Sequence, residues 1–136
     1  REWYGRLVRL CGEPALERGW FYGLNHANME NRDFGRLALD KTSGHWLYAF
    51  LRSERRPSGQ TFLVVVNLNT TKAMSGVRVR IPEHAMQWLS LRQETVTFRD
   101  RLAEEWEAEA ERSELPVEGL ALPAMAPCSA MFLELG

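Results

Sequence analysis

The segment TFLVVVNL, residues 61–68, is the most strand-prone stretch of the sequence. Its β-branched and aromatic residues favour an extended strand, and apolar side chains alternate onto both of its faces. One face would carry Phe62, Val64 and Val66, and the other Leu63 and Val65. The segment WLYAFLRS at 46–53 alternates as well, and the turn ERRPSG between the two, with Pro57, predicts an antiparallel hairpin. We therefore expect a central strand of a sheet at 61–68.

Further short strands separated by turns are predicted on both sides of this hairpin. They fall at 20–22, 77–81, 88–91, 94–98, 117–122 and 129–135, with a strand or turn at 34–39. The acidic segment AEEWEAEAER at 103–112 is expected to be an exposed loop or a frayed helix, because Trp106 is its one large apolar residue. Short strands at regular spacing predict a mainly β fold, an antiparallel Greek-key β-sandwich of seven or eight strands.

One N-terminal helix precedes these strands. Apolar residues recur there at three- and four-residue spacing, namely Trp3, Tyr4, Leu7, Val8, Leu10 and Cys11. Gly12 and Pro14 are expected to end the helix. No capping residue precedes Trp3, so we expect the helix to begin upstream. The predicted organisation is the end of a helix and a linker from a missing domain at 1–18, followed by a β-sandwich domain at 19–136.

Composition excludes several classes of protein. Of the 136 residues, 45% are hydrophobic, and 17 basic against 18 acidic residues give a net charge of −1. This balance is ordinary for a globular domain and lacks the basic excess of a nucleic-acid binder, and no apolar run reaches the roughly 20 residues of a membrane span. We therefore expect no nucleic-acid or membrane partner. Localisation is left unknown: a cytoplasmic location is favoured over a secreted one, but an N-terminal signal is not observable in this sequence.

The polar residues do not form a recognisable catalytic or metal-binding motif. Asp33, Asp40 and Asp100 fall in loops or turns, where we expect solvated or turn-forming carboxylates, with Asp100 bonding a turn backbone. The three histidines lack the spacing of zinc ligands. Cys11 and Cys128 match no redox motif and are predicted to be buried free thiols. We predict no catalytic residue, no metal and no cofactor.

The five tryptophans raise the question of carbohydrate stacking. Trp88 and Trp106 are the candidates for carbohydrate contact, because the other three occur where they would fill a core or an interface. Those three are Trp3, Trp20 and Trp46.

Three segments together resemble the alpha-amylase family of glycoside hydrolases, glycoside hydrolase family 13. YGRLVRLCGEPALERGWFYGL at 4–24 is similar to that family's last barrel helix and the link that follows it. WLYAFLRSERRPSGQTFLVVVNLNTT at 46–71 resembles the opening hairpin of its C-terminal β domain, domain C, and EGLALPAMAPCSAMFLEL at 118–135 resembles the closing strands. The polar insert at 25–43 and the acidic stretch at 104–114 depart from the family pattern.

This resemblance implies a partner and a role. Family enzymes carry an aspartate nucleophile, a glutamate acid/base and a second aspartate on a (β/α)8 barrel upstream of this domain. None of these residues transfers, because Asn25-His26 has Phe21 where the family motif has its aspartate. The implied function is a non-catalytic accessory domain of a glycosidase or transglycosidase acting on alpha-glucans, packed on the barrel and stabilising it. The residues expected at that interface are Trp3, Tyr4, Leu7, Trp20, Leu63 and Val65.

Two other functions remain open. The chain could be an autonomous carbohydrate-binding module that uses Trp88 or Trp106 to stack on starch or another alpha-glucan. It could also be an unrelated immunoglobulin-like interaction domain, although Cys11 precedes every predicted strand and so does not fit that class.

Overall fold

The computed structural model of the chain describes residues 2–37, 40–41, 43–54, 56 and 59–136. Its helices are α1 Glu2–Leu10, α2 Pro14–Arg18 and α3 Glu83–Trp88, with a 3-10 turn at His26–Asn28. Its strands are β1 Trp20–Gly23, β2 Leu47–Ser53, β3 Thr61–Asn67, β4 Arg78–Val79, β5 Thr95–Asp100, β6 Glu107–Glu111, β7 Leu120–Ala121 and β8 Ala130–Leu135. The expected mainly β architecture with an N-terminal helix is confirmed.

Six strands form one antiparallel sheet in the order β1-β2-β3-β8-β5-β6. The segment 61–68 supplies its centre, since β3 pairs with β2 from Leu47↔Asn67 to Ser53↔Thr61 and with β8 from Phe62↔Glu134 to Val66↔Ala130. The strand needs apolar residues on both faces because each face is covered by another layer. The predicted turn residue Pro57 lies outside the described residues, as do residues 38 and 39 of the predicted element at 34–39.

The inner face of the sheet carries the main core. Leu63 and Val65 point into it together with Leu51, Phe98 and Leu133, all at most 1% exposed. A second layer covers this face and consists of α3, the loop after β1 and a two-stranded sheet of β4 and β7. Gly119 lets β7 approach β4 closely: its φ is +80°, and an added Cβ would lie 2.6 Å from the Val79 carbonyl oxygen. The result is a sandwich-like fold with one large and one small layer.

The outer face of the sheet is covered in part by α1 and α2. Phe62 and Val64 form a second apolar cluster there with Leu10, Ala15 and Leu102, and each of the five is at most 5% exposed. Pro14, expected to stop the helix, begins α2 as its first residue, where its missing N–H costs nothing. The helices therefore pack onto the β unit and contribute Leu10 and Ala15 to its core.

Buried asparagines join the loop after β1 to β4. Asn28 is fully buried, and its Nδ2 donates to the carbonyl oxygens of Leu24 (2.8 Å) and Arg80 (3.0 Å). Its Oδ1 accepts from the Arg80 N–H (2.8 Å) and from Asn31 Nδ2 (2.9 Å). Asn31 Nδ2 also donates to the Arg78 carbonyl oxygen at 2.7 Å. The amide side chains thus satisfy the main chain of β4 as a neighbouring strand would.

Three expectations from the sequence are wrong. The segment 103–112 contains strand β6, in which Ala108 and Ala110 pack on the core while the glutamates between them are exposed. This two-residue alternation defines a strand despite the helix-favouring composition. The predicted strand at 88–91 is instead the end of α3 and the turn after it. Cys11 and Cys128 are both exposed free thiols, because one follows the last residue of α1 and the other lies in the turn before β8.

Within the described part of the chain, no helix is long and apolar enough to cross a membrane.

Candidate functional site: an exposed aromatic surface

The largest exposed apolar side chains occur on α1 and on the neighbouring strands β1 and β2. On α1, three apolar side chains remain in solvent: Trp3 is 49% exposed, Tyr4 65% and Val8 60%. Leu7 and Leu10 face the sheet. The helix therefore has an apolar side that is wider than the part its own sheet covers.

The strand residues of this surface are stacked aromatic rings. Phe21 of β1 stacks on Phe50 of β2 with ring centroids 5.1 Å apart, and Tyr48 lies 5.3 Å from Phe50. All three lie on the outer face of the sheet, the face on which α1 and α2 pack. Phe50 also packs against the buried cluster that contains Leu10 and Val64. We call these two sets of residues, Trp3, Tyr4 and Val8 on α1 and Phe21, Tyr48 and Phe50 on β1 and β2, the aromatic surface.

A polar network holds the helices in place on the sheet. Glu13, between α1 and α2, accepts from Arg101 Nη2 at 2.7 Å and from Gln60 Nε2 at 3.2 Å. Arg101 also pairs with Glu134 of β8, and Gln60 Oε1 accepts the Ala15 N–H at 3.1 Å. The hydrogen bond from Gln60, then that from Arg101, holds the pKa of Glu13 below its ordinary value. Four segments of the chain are thus joined in one side-chain network.

The Glu13 network predicts a pH-dependent difference between the wild type and Glu13→Gln. Because the folded pKa of Glu13 is lowered, its stabilisation is complete above the unfolded pKa of about 4.3 and is lost as pH falls through the folded value. Urea unfolding should show a lower free energy of unfolding for the variant at pH 7. The difference from the wild type should shrink as the pH is lowered. Glu30→Gln, on an exposed loop outside the network, is the control and should follow the wild-type profile. A gap of constant size from pH 7 to pH 3 would contradict this assignment.

The predicted interface residues divide into two groups in the structure. Trp3, Tyr4 and Trp20 are exposed, Trp20 at 63%, and Leu7 is partly buried beneath α1. Leu63 and Val65 are fully buried under the second layer, so their assignment to an interface with another domain is wrong. The alternation left open which face of β3 another domain would contact. In the structure both faces of β3 are covered from within the chain.

The two tryptophans predicted to contact carbohydrate differ in their surroundings. Trp88 packs at the end of α3 against Tyr22, with ring centroids 5.2 Å apart, and Tyr22 also bonds His84 Nδ1 at 3.0 Å. Trp106 lines an open groove of about 340 Å³ whose other walls include Pro123, Met125 and Met131. Both indoles are half-buried and pack against the main core. Trp106 alone of the two borders a described groove with room for a ligand.

Two of the three aspartates accept hydrogen bonds from nearby backbone groups. Asp100 Oδ1 accepts from the N–H groups of Leu102 (3.0 Å) and Ala103 (3.4 Å), which confirms its expected turn role. Asp40 Oδ2 accepts the Leu37 N–H at 2.8 Å. Among the described residues, no three His, Cys, Asp or Glu side chains are grouped as metal ligands would be.

The asparagines that organise the loop after β1 were not among the residues predicted from the sequence. Asn25 Nδ2 donates to the Leu47 carbonyl oxygen, and its Oδ1 accepts the Ala49 N–H, both at 2.8 Å. Asn25, Asn28 and Asn31 recur every three residues, and this spacing was the signal available in the sequence.

Comparisons of the chain with family models, curated proteins and solved structures give no match.

Proposed function

We propose that the chain is a non-catalytic accessory domain of a glycosidase or transglycosidase acting on alpha-glucans, and that it packs on and stabilises an upstream catalytic barrel. The observation that supports this function most is the uncovered apolar side of α1, where Tyr4 and Val8 are exposed in a helix otherwise fixed to the sheet. Apolar surface presented on a rigid element is typical of contact sites between domains. The assignment to alpha-glucan enzymes rests on the sequence resemblance.

The aromatic surface provides the test of this function in a protein that joins the chain to its catalytic domain. Tyr4→Glu and Val8→Glu together should lower the melting temperature of the catalytic domain by about 4 °C or more, because two charges would be buried at the contact. The assay follows loss of starch hydrolysis during heating. Arg9→Gln, on the charged side of α1, is the matched control and should leave inactivation unchanged.

Equal inactivation of the double variant and the control would contradict docking through α1. The isolated chain should leave starch and maltodextrin intact, since the proposal places all catalytic carboxylates on the barrel. Turnover by the isolated chain that is lost in Asp33→Asn or Asp100→Asn would overturn the accessory role.

The groove beside Trp106 supports a second candidate function, an autonomous glucan-binding module. An indole that borders an apolar groove offers a stacking face for a pyranose ring, and Glu105 and Ser129 at the rim offer hydrogen-bond groups. If this function holds, starch in a native gel should retard the chain, and Trp106→Ala should abolish the retardation. Trp88→Ala, whose indole packs against Tyr22, is the control and should remain retarded. Mobility that starch leaves unchanged would reject this function.

A further inference from the structure

The two edges of the large sheet differ in their protection against pairing with another strand. The edge strand β6 presents three exposed glutamates, Glu107, Glu109 and Glu111, and charge at an edge discourages pairing. The other edge strand, β1, has the sequence WFYG and carries no charge. Its residues Phe21 and Gly23 are exposed.

Within the part of the chain that the structure describes, only one side of the β1 main chain pairs with another strand. The Leu24 N–H donates to the Ala49 carbonyl oxygen at 2.9 Å, and the register from Trp20↔Ser53 to Gly23↔Phe50 continues to that pair. Bonded and non-bonded pairs alternate along an antiparallel ladder. The N–H and C=O groups of Phe21 and Gly23 therefore point away from β2. No hydrogen bond described outside the sheet ladders uses them.

We propose that a second copy of the chain pairs with this edge, joining β1 to β1 in antiparallel register about a two-fold axis. Phe21 would face Gly23 of the second copy. The outward N–H of each residue would then lie opposite the C=O of the other, and its C=O opposite the other's N–H. The pairing would form four main-chain hydrogen bonds and extend the sheet from six strands to twelve. Such a contact uses the same strand in both copies, so it closes as a dimer.

The side chains at this edge fit a second copy of the same strand. Within its own chain the ring of Phe21 already lies over Gly23, since a Cβ added at Gly23 would lie 3.5 Å from Phe21 Cε1. Gly23 adds no side chain of its own at the contact, so the two main chains can approach closely. The two-fold axis would also bring the Phe21 and Phe50 rings of both copies side by side on one face. Because β1 is uncharged, the pairing brings no like charges of β1 together.

Pairing of two four-residue strands is expected to bury less than the roughly 1,200 Å² of a stable interface, so we expect a reversible dimer. It goes beyond the accessory function and leaves Tyr4 and Val8 free for another domain. Failure of dimerisation would therefore not count against that function, and loss of that function would not count against the dimer.

Sedimentation equilibrium from about 10 μM to about 1 mM tests the pairing, a range that covers micromolar to millimolar dissociation constants. Gly23→Pro removes the outward N–H and is expected to weaken association about tenfold or more, because proline is tolerated at a sheet edge but cannot donate. Gly23→Ala keeps the N–H and is the matched control. Its dimer dissociation constant is expected to lie within about threefold of the wild-type value. Thermal unfolding establishes that each variant is folded.

A second variant keeps the test decisive if Gly23→Pro does not fold. Phe21→Lys places one charge from each copy at the pairing, and it should weaken association about tenfold or more at low salt. Tyr48→Lys, one strand in from the edge on the same face, is its control and should dimerise as the wild type does. A wild-type chain that stays monomeric to about 1 mM would overturn the proposal. Association unchanged by Phe21→Lys, or equal in Gly23→Pro and Gly23→Ala, would overturn it as well.

Discussion

Replacing Asn28 with alanine is expected to lower the free energy of unfolding by about 3–4 kcal/mol, a large part of the total stability of a domain of this size. The substitution removes four hydrogen bonds and leaves the N–H and C=O of Arg80 and the C=O of Leu24 without their partners. Each buried polar group left unsatisfied costs about 1–3 kcal/mol, and water entering the space restores part of that loss. Urea unfolding at pH 7 measures the effect.

Gln87→Ala is the control for Asn28, because Gln87 is an exposed amide on α3 and should change the unfolding free energy by less than about 0.5 kcal/mol. Asn28→Asp separates donor from acceptor: it keeps the oxygen that accepts from Arg80 and loses the donor to both carbonyls. It should also destabilise the protein. An Asn28→Ala variant within about 1 kcal/mol of the wild type would show that the amide network does not hold the loop on β4.

The second large effect is expected at Phe62, on the outer face of β3. Phe62→Ala should cost about 3–5 kcal/mol, since the ring is fully buried beneath the N-terminal helices and its loss opens a cavity. Phe21→Ala is the matched control on the same face of the sheet, where the ring is 53% exposed, and should cost less than about 1 kcal/mol. Chemical unfolding of the two variants measures both values.

This comparison also tests whether residues 2–18 belong to the core of the domain. If α1 and α2 were displaced in solution, Phe62 would be as exposed as Phe21 and the two alanine variants would have similar stabilities. Similar costs for the two variants would therefore contradict the packing of the helices on the sheet.

The sequence predicted the fold best where burial imposes a simple period. On β3 the side chains from Phe62 to Val65, which alternate between the two faces, are at most 1% exposed. The alternating residues Val77, Val79 and Ile81 are also at most 1% exposed. Prediction failed at β6 because Glu and Ala favour helices by composition, whereas pairing with β5 and burial of Ala108 and Ala110 select a strand.

The surface was less predictable than the core, for a physical reason. Whether an apolar residue is exposed depends on which layer covers it, and that is a property of the tertiary structure. Leu63 and Tyr4 are both apolar residues at periodic positions, yet one is fully buried and the other is 65% exposed. The asparagine network could not be predicted from local sequence, because its main-chain partners at Arg78 and Arg80 lie about fifty residues away.

Peptide mapping of the native protein is the direct test of the proposal that the chain is the accessory domain of an upstream alpha-glucan enzyme. The protein carrying this chain would be captured from its source cells with an antibody against residues 59–136, and its peptides sequenced. We predict a single polypeptide in which the segment before α1 is a (β/α)8 barrel with a paired aspartate and glutamate. A native polypeptide without such a barrel, or with a barrel lacking those carboxylates, would contradict the claim.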